Sequence, residues 1–133
     1  MLSPSIDTLR LFLHVLAASV WVGGQVVMAG LVPRLRGLGP DVTKAAANGF
    51  ARVAWPAFGL AFITGMWNLF EVPPSATTSY QMTLGIKILL VVAAGTSAVI
   101  HSRTANKAVL AGTGAIGMLA SLVAMFFGVL LAG

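Results

Sequence analysis

LRLFLHVLAASVWVGGQVVMAGLV, Leu9 to Val32, is the stretch that decides the fold. A helix needs about 20 apolar residues to cross the hydrocarbon core of a bilayer, within a range of about 17–25. This stretch is long enough, and it carries a single histidine, His14, in an otherwise apolar setting. Helical residues three or four apart share a face. His14, Trp21, Gln25 and Met28 therefore fall along one stripe, with Ala17, Ala18 and Gly24 between them. A metal-competent imidazole shares a side with a large aromatic ring and an amide. Gly23 and Gly24 let a second backbone approach at mid-helix.

Three further stretches have the same character: about Val53–Phe70, about Met82–Ile100 with Lys87 inside it, and about Ala108–Ala132. Backbone polar groups in lipid must pair within the segment, so each is expected to cross as a helix. The expected fold is all-α: an antiparallel, up-down transmembrane four-helix bundle forming a single domain over residues 1–133. Pro33 is expected to end the first helix, because the residue before a proline is driven out of the helical region. The link PRLRGLGPDVTKAAANGFAR, residues 33–52, would then be Gly/Pro-punctuated and finish as an amphipathic lead into the second helix. EVPPSATTS and SRTANK make the other two links.

Composition agrees. The 133 residues are 58% hydrophobic and 8% charged, against about 25% charged in an ordinary soluble domain, and the mean hydropathy is +0.95. With no cysteine, disulfides, iron–sulfur clusters and thiolate metal sites are excluded. The net charge of +5 does not indicate nucleic acid, because the basic residues flank apolar spans and form no aromatic-interleaved patch. A cleaved leader is not expected, since the first span lacks a basic preceding region.

Arg34, Arg36, Lys44 and Arg52 lie on the first link, Arg103 and Lys107 on the third, and none on the second. Links rich in Lys and Arg stay cytoplasmic, so both termini are expected outside. Trp67 and Tyr80 then mark the outer boundary and Trp55 the inner one. In the fourth span Ala120, Ala124, Gly128 and Ala132 recur every four residues. Small residues at this spacing let helices approach closely in lipid. The stripe serves packing within the chain or, through Ala120, Ala124 and Gly128, a homodimer seam.

At about 1.5 Å of rise per residue, His14 and Lys87 each lie roughly 8 Å inside their spans from the outer end. Thr64, Met66, Asn68 and Met82 belong to the same outer third. His101 follows Lys87 by about 21 Å on nearly the same face, at the inner end with Arg52 and Arg103. One prosthetic group gripped by both histidines is therefore not expected. His14 reads either as a core histidine bonded to a neighbouring helix or as a metal ligand or proton carrier. Met66 and Met82 beside it would suit copper(I), which favours imidazole and thioether. Lys87 reads either as a snorkelling side chain or as the partner of an anionic group, since a charge in the bilayer costs about 2.5–3.5 kcal/mol on insertion scales. His101 reads first as a solvated residue at a helix end.

The segments HVLAASVWVGG (His14–Gly24), FARVAWPA (Phe50–Ala57), TGMWNL (Thr64–Leu69) and LGIKILLV (Leu84–Val91) resemble the CopD family of bacterial inner-membrane proteins. That resemblance implies copper handling through His14 in a bacterial inner membrane. His14, Trp21, the run Pro33-Arg34-Leu35 and Lys87 are also similar to the four-helix protoporphyrinogen oxidases of the HemJ type. That second resemblance implies haem b, with His14 as axial ligand, Lys87 pairing a propionate or acting on substrate, and Trp21 beside them. A third reading is an accessory subunit that packs through its fourth helix. No paired-carboxylate site, nucleophile triad or phosphate-binding glycine loop is present to indicate turnover.

Overall fold

The computed structural model describes residues 2–133. They form four helices, α1 (Ile6–Arg36), α2 (Pro40–Phe70), α3 (Thr78–Arg103) and α4 (Lys107–Ala132), and no strand among the described residues. All four are long and apolar enough to cross a membrane, as the all-α, up-down reading expects. The chain divides into two compact units, one ending at Pro73 and one running from Pro74 to Gly133. Each is an antiparallel helical hairpin.

The helix ends follow local chemistry. Ser5 caps α1: its hydroxyl accepts from Thr8 N at 3.1 Å while its own N–H donates to Thr8 Oγ1 at 3.2 Å, a reciprocal pairing of two otherwise orphaned donors. Thr77 caps α3 by accepting from Tyr80 N. The Asn106 side-chain oxygen accepts from Ala108 N and Val109 N at the start of α4. The α1–α2 turn is only Gly37–Gly39, and Gly39 takes φ +125°, a conformation that costs glycine little.

Two boundaries differ from expectation. The first helix does not stop at Pro33 but continues through it to Arg36. The second begins at Pro40, not near Val53, and runs through Pro56. Proline removes one N–H and crowds the preceding turn, but the freed carbonyl can be re-satisfied locally in a long apolar helix. The sequence stop is the glycine pair that follows. Pro40 then suits the first helical position, where the missing N–H is no loss, and Lys44-Ala45-Ala46-Ala47 propagates the helix. Most of the supposed 33–52 link is therefore helix.

In the first hairpin, Arg10, His14, Ala17, Trp21 and Gly24 face α2. Trp21 packs on Phe58 at 4.6 Å and on Trp55 at 5.5 Å between ring centroids. Trp55 is thus an interior partner of Trp21 and not only a boundary marker. Gly24 lies under the ring of Phe50. In the second hairpin, a Cβ on Gly117 would stand 3.3 Å from Ser97 Cβ. Gly117, Ala120, Ser121 and Ala124 are buried within the chain. Within the small-residue stripe Ala120 and Ala124 are buried, Gly128 is half-buried and Ala132 is exposed.

Candidate functional site

His14 sits near the open end of the first hairpin. Its Nδ1 is 3.1 Å from Ala61 O and 3.0 Å from Thr64 Oγ1. A carbonyl oxygen can only accept, so Nδ1 carries the proton. Thr64 is 2% exposed, and its hydroxyl donates to Leu60 O at 2.7 Å. Its oxygen is thereby turned to accept from the imidazole. The ring lies over Gly65, where an added Cβ would be 3.3 Å from Cε1. Ala61 O and Thr64 Oγ1 thus fix the tautomer, Gly65 leaves room for the ring, and the neutral imidazole carries its lone pair on Nε2, the arrangement found in metal-bound histidines.

One turn before His14 on the same face is Arg10, 8% exposed. Its Nη1 donates to Asn68 Oδ1 at 2.8 Å and its Nη2 to Asp7 Oδ1 at 3.0 Å, while its buried Nε has no partner. The spacing of four residues to His14 is the signal that would have placed Arg10 beside it.

Met66 does not share this face. Two residues past Thr64, it is turned about 200° around α2 and is 39% exposed. Met82 belongs to the second hairpin and is 63% exposed. Trp21 is buried seven residues along α1 from His14, and Gln25 donates to Trp21 O at 3.3 Å. Arg52 is exposed on α2, two residues beyond Phe50.

In the second hairpin the Lys87 ammonium lies against Gly128, where a Cβ would stand 3.2 Å from Nζ. The missing side chain makes the space that the lysine occupies. Among the described residues Lys87 forms no hydrogen bond or ion pair. His101, at the turn end of the same hairpin, bonds through Nδ1 to Leu110 O at 2.9 Å. Three polar residues of α3, Lys87, Ser97 and His101, thus each meet a glycine of α4: Gly128, Gly117 and Gly114. Among the described residues no three of His, Asp and Glu converge as a metal-binding group.

No protein-family model matches the chain, and neither a curated protein nor a solved structure matches it significantly.

Proposed function

We propose that this integral membrane protein holds a redox metal centre through Nε2 of His14, and that the centre is porphyrin-bound iron, haem b, ahead of copper. The observation that carries the reading is the bonding of Nδ1 to Ala61 O and Thr64 Oγ1. Partners of this kind orient a ligating imidazole and raise its basicity.

The surroundings favour haem over copper. A copper(I) site would draw thioethers to the imidazole, but of the two methionines expected beside it Met66 faces elsewhere on α2 and Met82 belongs to the second hairpin. A buried guanidinium one turn away opposes a bare metal cation and suits a ligand bearing carboxylates. Haem bound here would supply one-electron chemistry. The chain's own part is to aim one imidazole nitrogen, keep Nδ1 protonated and exclude water with the Trp21, Trp55 and Phe58 rings. The CopD and HemJ resemblances both place His14 at the centre, and they separate on the group it holds. We further propose a bacterial inner membrane, with the Gly37–Gly39 and Thr104–Asn106 turns cytoplasmic and both termini outside, from the basic residues at those turns.

The experiment is an absorption spectrum of detergent-purified protein beside a metal analysis. A Soret band lost in His14→Ala supports the haem reading. Stoichiometric copper that falls in His14→Ala and in Met66→Leu transfers the site to copper. Neither group, with a co-purifying protein, leaves an accessory subunit.

A further inference from the structure

The arrangement around His14 occurs a second time. In the second hairpin His101 Nδ1 is 2.9 Å from Leu110 O and 3.4 Å from Thr113 Oγ1. The Thr113 hydroxyl donates to Val109 O at 2.6 Å, which again turns its oxygen to accept. A Cβ on Gly114 would stand 3.1 Å from His101 Cε1. Both imidazoles therefore meet a carbonyl, a threonine three residues on and a glycine four residues on. The two sets are Ala61, Thr64 and Gly65, and Leu110, Thr113 and Gly114. Each set lies on the second helix of its hairpin.

The second copy is not needed to close the α3–α4 turn. Asn106 caps α4, and Thr104 N donates to Ile100 O at 3.0 Å to finish α3. His101 is nevertheless held in one tautomer, with the lone pair of the neutral ring on Nε2, and it is exposed.

The charges around it define the ligand class. From Pro74 to Gly133 there is no Asp or Glu, while Arg103 and Lys107 bracket the turn. A bare divalent cation would find one imidazole, two positive charges and no carboxylate. A metal centre that brings its own anions meets the opposite situation: a nitrogen for the metal and cations for the anions.

We infer that His101 is a second imidazole ligand position for a carboxylate-bearing metalloporphyrin, distinct from His14, with Lys107, which shares a face of α4 with Leu110, as the cation that receives a carboxylate. The ligand class rests on the reading proposed for His14; the position rests on the duplicated geometry. His14 serves the open end of its hairpin and His101 the turn end of its own.

The test is a titration of the full chain in detergent with hemin, counting haem per chain after extraction into pyridine. Two equivalents are expected for the wild type, and one each for His14→Ala and His101→Ala. Thr113→Val, which keeps the side-chain volume but removes the acceptor, should weaken one equivalent by about 10–100-fold and leave the other unchanged. This variant reports on the site even if His101→Ala unfolds the turn. Saturation at one equivalent, lost in His14→Ala and indifferent to His101→Ala and Thr113→Val, overturns the inference. Loss in the His101 and Thr113 variants alone keeps the inference and removes the reading of His14. No saturable haem removes both.

Discussion

Thr64 and His14 form a relay of fixed direction: the threonine hydroxyl donates to Leu60 O at 2.7 Å, and its oxygen lies 3.0 Å from the protonated Nδ1 of His14. The direction matters because a hydroxyl free to rotate could as well donate to the imidazole and select the other tautomer. Removing the hydroxyl while keeping the shape isolates this effect. Thr64→Val is expected to weaken retention of the His14 ligand by about 10–100-fold, and Thr64→Ser to restore most of it. Hemin titration of the three proteins checks this, because a change in folding alone would not be rescued by serine.

Gly65 offers a steric version of the same question. A methyl group there would stand 3.3 Å from His14 Cε1, so the ring must shift slightly from its place. The chain has two histidines, which makes nitrogen-15 spectra of labelled histidine readable. Both rings are expected as the Nδ1–H form when neutral. Gly65→Ala should disturb the His14 signals alone, and Gly114→Ala those of His101 alone.

Arg10 separates buried from exposed electrostatics. Asn68→Leu strips one of the two acceptors of a buried guanidinium and should lower stability by about 1–3 kcal/mol. Asp7, whose side chain is 62% exposed, sits at the solvated end of the pair. Asp7→Asn should therefore cost about 0–1 kcal/mol. Thermal melts in detergent rank the two; an equal or reversed order would mean that the pair carries the hairpin's open end.

Gly117 and Gly112 make an internal control for α4. A side chain at Gly117 would press on Ser97 Cβ and, at 3.8 Å, approach Ala94 O, whereas one at Gly112 meets nothing within 4 Å. Gly117→Val should destabilise by about 1–3 kcal/mol through overpacking. Gly112→Ala should be neutral or stabilise by roughly 0.5–1 kcal/mol, because it removes unfolded-state freedom. Melting curves of both, measured together, test whether the stripe packs on α3.

The number of helices was legible because apolar length is a property of sequence alone. So was one of the two readings of His14, a histidine bonded to the neighbouring helix. Less visible were the continuations through Pro33 and Pro56, because proline preference is local while helix persistence depends on the turns around it. Thr64 was placed at the right depth, but its role needed the rotation of α2 against α1. That same rotation carried Met66 away from the imidazole, which no count of residues from the membrane boundary could reveal. Trp55 was read as a boundary residue for the same reason: depth follows from residue number, facing does not.

The seating of Phe50 over Gly24 has a consequence for the surrounding lipid. It brings Arg52 level with the middle of the apolar run of α1, while Val26, Val27 and Leu31 further along that helix remain exposed. Acyl chains that cover Leu31 would therefore run past the level of a guanidinium on the neighbouring helix. The long apolar stem of Arg52 would let its head reach water from there.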